Sequence, residues 1–463
     1  MSRPLARRAV TTGTLGAVAA GSRTAAGIGL AALHSGGNAF DAVVSAALAE
    51  TVALPSKCGL AGDVVALVRR AGKDTPSSLI ALGGAAAGLY AAAEAQDWRV
   101  APTGGLSVGV PGAPAGYDAL ASYGRLGRER LVAPARALAE RGIIWSPLTE
   151  LLAHESAELL RSHQPQGCVF APASGPRAAG EVVRLPRMAH LLEAFADLGA
   201  DLFHGDLGRT VAERVARAGG VLTVEDLRSV EVLEEPALRT TSARGPLWAT
   251  RAPTYGAALA DALGGRDADE LTPAVVADSL ARQSRGEPVG AEGTSTVAAA
   301  DAEGNAVVLV HSNSFPQFGS GLVVEDLDLV LSNRAGRGFT FRADHPNAPT
   351  PGRRPLTTLH AWGMPTAEGD GGWLLGATPG GEQQVPWNVG LLQHLLRHGT
   401  AEAALGDALV TPRFQLSGDG SVRREGEDLP HLTARSSHTL VRWSPDRVAA
   451  AADPRWDAAA VAA

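Results

Sequence analysis

The chain has 463 residues, 45% hydrophobic and 19% charged, the balance of a globular rather than a disordered protein. Its 48 acidic and 41 basic residues leave a formal charge of −7, which argues against nucleic acid as the main partner. Two cysteines, Cys58 and Cys168, with no CxxC or metal-ligand spacing, argue against a disulfide framework and structural zinc.

At the N-terminus Arg3, Arg7 and Arg8 precede residues 9–20, but Thr11, Thr12, Gly13, Thr14 and Gly16 dilute the apolar character that an export signal needs. Cytoplasmic residence is expected, with twin-arginine export as the alternative. No run of 18 apolar residues predicts a membrane span. Residues 24–34 and 38–53 read as two helices separated by Ser35-Gly36-Gly37, with Asn38 capping the second and Asp41 in its first turn. A tight connection, Lys57 to Asp63, leads into a strand at 64–69. A short strand at 79–82, a helix at 85–95 and the segment Asp97-Trp98-Arg99-Val100-Ala101-Pro102 follow. Helices are predicted at 128–141, 146–161, 185–199 and 210–218. Thr223 and Asp226 have the spacing of a capping box. Short β-like runs occupy 232–250, a helix 272–282, and 283–292 is a loop rich in Gly, Pro, Glu and Ser, a flexible lead-in to Thr294.

Residues 295–300 and 306–311 flank the polar turn Asp301-Ala302-Glu303-Gly304-Asn305, which predicts a β-hairpin with Thr294 at the mouth of its first strand. The run 321–331, broken by Glu325, Asp326 and Asp328, reads as strand, turn and strand. A proline-rich loop at 342–354 leads to Pro355-Leu356-Thr357-Thr358-Leu359-His360, for which a surface strand is the plain reading. A strand at 373–376 ends in Ala377-Thr378-Pro379-Gly380-Gly381, and 385–398 suits a long helix.

The stretch GTSTVAAADAEGNAV followed by FGSG resembles the γ-glutamyltransferase-like branch of the N-terminal nucleophile (Ntn) hydrolases, and residues 16–55 resemble the opening of the same domain. The resemblance implies an α+β class, a four-layer αββα sandwich formed jointly by both parts of a self-cleaving precursor. It places the cut between Gly293 and Thr294, giving a large chain 1–293 and a small chain 294–463 that stay associated. Whether processed units form homodimers stays open. Thr294 would be the nucleophile, Ser295 would orient its freed amine, and the Gly380 and Gly381 N–H groups would form an oxyanion site. Arg99, Thr357 and Thr358 fall where relatives contact substrate, and Ser312, Asn313 and Ser314 where relatives place a threonine and an asparagine. No metal or organic cofactor is implied.

The chemistry is sound independently of the resemblance. A threonine hydroxyl needs an adjacent base. An α-amine exposed by cleavage, with a reference pKa of about 7.7 to 8, supplies one near neutrality. Gly293 offers no side chain to hinder attack on its carbonyl.

The chain departs from the family where its relatives carry acidic residues for a substrate ammonium; here Asn333-Arg334-Ala335-Gly336-Arg337-Gly338-Phe339 stands. Arg334 and Arg337 would repel an ammonium and favour a carboxylate. The expectation is an amidohydrolase or acyltransferase acting on a small, anionic acyl amide, with water or an amine as acceptor. A genuine γ-glutamyl hydrolase/transpeptidase, and an inactive unprocessed member with an interaction role, are the alternatives.

Overall fold

A computed structural model describes residues 9–284, 293–366, 369–429 and 436–463. Most of the expected lead-in loop, residues 285–292, lies outside them. Two seven-stranded antiparallel sheets stack face to face. The first runs, edge to edge, Ala459–Ala462, Gly16–Ala20, Thr294–Asp301, Ala306–Ser312, Asp63–Arg69, Ser77–Ala81 and Leu233–Pro236. The second runs Val10–Gly13, Arg447–Ala452, Thr439–Ser444, Trp373–Ala377, Trp362–Pro365, Gly245–Ala249 and Leu238–Ser242.

Side-chain alternation along each strand explains the layering. In Thr294–Asp301, Val297 and Ala299 join the core under the helices Arg23–His34, Ala39–Ala53 and Arg128–Arg141, while Ala298 and Ala300 join the core between the sheets. A strand buried on both faces reads as a continuous apolar run, as this one does. On the far side Leu259, Val389, Leu392 and Leu405, from the helices Gly256–Leu263, Gln384–His398 and Glu402–Val410, pack on Trp362, Leu374 and Leu440. The result is the αββα sandwich. Both sheets draw strands from each side of the Gly293–Thr294 bond.

Several local expectations hold. Asn38 accepts from the N–H groups of Phe40 and Asp41 and completes a capping box, and Thr223 and Asp226 form another. The hairpin Thr294–Asp301 with Ala306–Ser312 is continuous, and 321–331 folds as strand, turn and strand.

Others change. Gly16–Ala20, for which no strand was expected, is a fully buried inner strand between Thr294–Asp301 and Ala459–Ala462. The helix expected at 146–161 breaks into Pro147–Glu155 and Ala157–His163 at Ser156, whose hydroxyl donates to the Gln317 carbonyl at 3.1 Å. The helix at 85–95 shortens to Leu89–Glu94 because Ala85 bridges Pro351 and the Ala87 N–H bonds Asp226. At 355–360 only Thr357 makes a β-bridge, to Thr254. No described helix is long and apolar enough to cross a membrane.

Candidate functional site

The hairpin register decides what surrounds Thr294. Thr294 lies opposite Ser312 and Ser295 opposite His311. Thr294 is buried, and its Oγ1 donates to Ser312 Oγ at 3.1 Å. Ser312 Oγ donates in turn to the Gly293 carbonyl and accepts the Ser314 N–H at 2.8 Å. One donor and two acceptor positions are thereby filled, the full capacity of a hydroxyl. Ser314 is held at φ 69°, and a Cβ on Gly293 would fall 1.5 Å from the Ser314 carbonyl oxygen, so the residue before Thr294 has to be glycine. Ser295 projects from the opposite face of the strand; its Oγ would lie 2.4 Å from a Cβ on Gly21, in the turn between the strand Gly16–Ala20 and the helix Arg23–His34. The hydroxyl against Thr294 Oγ1 is thus that of Ser312.

Pro379 and Gly380 bring a second backbone turn to the same narrow cleft as Gly293 and Thr294. Gly380 has φ 134° and Gly381 φ 56°, conformations that favour glycine. A Cβ on Gly380 would meet the Trp387 ring at 2.2 Å. Gly381 lies one position beyond, its N–H 3.3 Å from the Gln384 amide oxygen in the orientation that satisfies both ends of that amide.

The remaining candidates divide. Arg334 is buried and its Nε bonds Asp63 Oδ2 at 2.7 Å, so it is an internal ion-pair partner rather than a substrate contact. Burial pushes the Asp63 carboxyl upward while Arg334 opposes the shift. Arg337 is half-buried; its Nε donates to the Phe315 carbonyl at 3.1 Å and its guanidinium lies 5.3 Å from the Phe315 ring centre. Burial lowers its pKa against the neighbouring Glu382 charge. Asn313 is buried; its Nδ2 donates to the Pro55 carbonyl at 3.3 Å while its Oδ1 has no hydrogen-bond partner, and Thr357 Oγ1 accepts the Leu359 N–H at 3.2 Å. Thr358 lies 3.4 Å from the Gln384 amide, and Arg99 is exposed. His360, fully buried, bonds the Thr358 carbonyl and Asn388, and burial pushes its pKa down to about 4. It is a structural histidine.

Residues that the motifs did not point to complete the cleft: Lys57, Leu148, Leu152, Gln317 and Trp456. Lys57 interrupts an apolar, glycine-rich stretch and was the one visible signal; Trp456, in an alanine-rich tail, carried none. Behind the hairpin, Glu50, Cys58 and His311 offer ligand atoms within 4.8 Å of one another. His311 Nε2 lies 2.8 Å from Glu50 and Nδ1 2.8 Å from the Tyr117 hydroxyl, while burial holds the Cys58 thiol protonated. The Cys58 thiol faces the Leu54 carbonyl at 3.8 Å, and the other Glu50 oxygen accepts the Ser22 N–H at 3.1 Å.

A model of the γ-glutamyltranspeptidase family matches residues 25–279 and 267–463. The chain is 29% identical over 474 residues to the oxamate amidohydrolase proenzyme of Klebsiella pneumoniae, covering 88% of this chain and 87% of that one. It is 25% identical over 475 residues to the glutathione hydrolase proenzyme of Escherichia coli, covering 86% and 80%. The crystal structure of cephalosporin acylase from Bacillus halodurans superposes with a TM-score of 0.86 at 24% identity, covering 99% of this chain and 97% of that one, and shares its fold.

Proposed function

Since this chain belongs to the γ-glutamyltranspeptidase family of Ntn hydrolases, we propose that it is a precursor which cuts itself between Gly293 and Thr294 and then uses Thr294 to cleave a small, anionic acyl amide. The observation that carries this reading is the hydroxyl chain from Thr294 Oγ1 through Ser312 Oγ to the Gly293 carbonyl.

In the precursor, Thr294 Oγ attacks the Gly293 carbonyl carbon. Its proton passes to Ser312, which gives its own to the carbonyl oxygen. As the tetrahedral adduct collapses, that proton moves from its oxygen to the Thr294 nitrogen and the Gly293–Thr294 C–N bond breaks, leaving an ester and a free α-amine; water hydrolyses the ester, releasing a Gly293 carboxylate and an unacylated Thr294. The products 1–293 and 294–463 stay together because both contribute strands to each sheet.

In turnover the α-amine takes the Thr294 hydroxyl proton as Oγ attacks the substrate carbonyl. Backbone N–H groups of the Gly380-Gly381 turn stabilise the tetrahedral anion, with Gly380 the nearer of the two to the cleft. The ammonium protonates the leaving amine, and water or an acceptor amine releases the acyl group from Thr294.

An anionic acyl group is supported by the relative named for oxamate, an amide that carries a carboxylate. Arg334 contributes nothing to this preference, because Asp63 neutralises it. Hydrolysis of oxamate and other acidic monoamides, measured beside a γ-glutamyl anilide, tests the substrate reading. Faster turnover of the acidic amides is expected; rapid aminolysis to γ-glutamyl dipeptides would contradict it.

A further inference from the structure

The outer helix Gln384–His398 buries Leu391, Leu392, Leu395 and Leu396 in the core that it shares with the second sheet and the helix Glu402–Val410. His394 and His398 flank that buried stripe and line an open groove between the two helices, His394 half-buried and His398 exposed. The cleft beside Thr294 uses neither of them. Two histidines at i and i+4 share one helix face, the spacing at which a pair of imidazoles holds one metal ion. Here the ring centres are 4.5 Å apart.

The surroundings prepare the pair for a cation. Thr411 Oγ1 donates its one proton to the Asp407 carbonyl at 2.9 Å, so in its 3.3 Å contact with His394 Nδ1 the ring nitrogen is the donor. The lone pair of a neutral His394 is then on Nε2. A metal-binding histidine hands its other N–H to an oxygen in this way, which fixes the tautomer and the ring orientation. Among the described residues the His398 ring makes no hydrogen bond and the Asp407 carboxylate, in the same groove, accepts none. Arg397, the neighbouring cation, is drawn aside by Asp269 at 2.7 Å. His398 is also the last residue of its helix, where unpaired carbonyls favour positive charge.

We propose that His394 and His398 chelate a divalent transition-metal ion of the zinc class on the outer helical layer. The two imidazoles coordinate directly and water fills the other positions. Among the described residues only Glu50, Cys58 and His311 bring three ligand atoms within 4.8 Å of one another. Asp407 therefore acts on the ion through one of its waters. Imidazole donors suit zinc, nickel and copper and not magnesium or calcium. Two protein ligands make this an exchangeable site, distinct from a closed structural one.

Titration calorimetry with zinc chloride tests it on the tag-free, metal-free full chain at a pH of about 7.5, above the ordinary histidine pKa. Wild type is expected to bind one zinc ion with a Kd below about 0.1 mM. His398→Ala, at an exposed position, and His394→Gln should each weaken that site at least about tenfold, and Asp407→Asn by about two- to threefold. Magnesium in about tenfold excess should not displace the zinc. Zinc should raise the Tm of wild type and leave that of His398→Ala unmoved, since an ion that binds only the folded chain stabilises it. A wild-type chain without a zinc site of this affinity, full affinity in both histidine variants, or displacement by magnesium would overturn the proposal.

Discussion

Ser312 receives the Thr294 hydroxyl proton donor at 3.1 Å while directing its own proton at the Gly293 carbonyl. The two side chains meet because antiparallel register sets them directly opposite on adjacent strands, both facing the space between the sheets. A hydroxyl in this position both polarises the bond to be broken and moves the proton that its breaking requires.

Ser312→Ala removes that relay and leaves the strand intact. Self-cleavage should slow by about 10²-fold or more, the usual scale for a positioned proton donor and acceptor. Ser312→Thr, which keeps the hydroxyl, should retain most of the rate. A time course of intact mass after folding reports both, and wild-type cleavage in Ser312→Ala would remove the relay from the account.

Gly380→Ala places a methyl group against the Trp387 ring at a backbone angle that alanine rarely adopts. Displacing this turn should lower kcat by about 10²- to 10³-fold, the effect of losing one oxyanion donor. The assay is made on the divided fraction, so that any effect on processing is counted separately. A kcat near wild type would exclude the Gly380 turn from transition-state stabilisation.

Arg334→Met should leave the Asp63 carboxylate buried without its partner, at a cost of about 3–5 kcal/mol in folding stability. Urea unfolding measures it. A change below about 1 kcal/mol, the range of an exposed pair, would mean that the pair is solvated in solution.

These predictions separate what the chain disclosed in its sequence from what it did not. The hairpin was legible because alternation and a polar turn are local properties, and Asn38 and Thr223 cap their helices through neighbours three residues on. Adjacent residues in a strand point to opposite faces, so Ser295 cannot share the face on which Thr294 Oγ1 meets a neighbouring hydroxyl. Ser312, the residue that meets Thr294, becomes identifiable only once the register is known. Arg334 resembled a free guanidinium because Asp63, its partner, lies far away in the chain. Gly16–Ala20 was not legible as a strand because a run of alanine, glycine and one valine has little hydrophobic signature; small side chains suit it to a core between closely packed layers. Trp456 reaches the cleft through the buried contacts of Arg413, Glu425, Asp453 and Arg455, which no periodicity announces.

Stability should fall as pH drops from about 6.5 towards 4. Burial pushes His360 down to about 4, and burial together with Arg413 pushes His438 down to about 3. An unfolded histidine titrates near 6.5, so in this window the unfolded chain binds protons that the folded chain excludes. For His360 the loss is on the order of 3 kcal/mol once pH has passed below its folded pKa. Thermal unfolding at pH 7, 5.5 and 4.5 measures the slope, and His360→Gln should flatten it whatever its effect at pH 7. A Tm independent of pH across this range would show that neither histidine is buried in its neutral form.

Intact mass of the folded protein at neutral pH tests the central claim most directly. The account predicts two species from wild type, residues 1–293 and 294–463, and a single undivided chain from Thr294→Ala. A wild-type chain that stays whole yet hydrolyses amides, or a Thr294→Ala chain that still divides before residue 294, would contradict it.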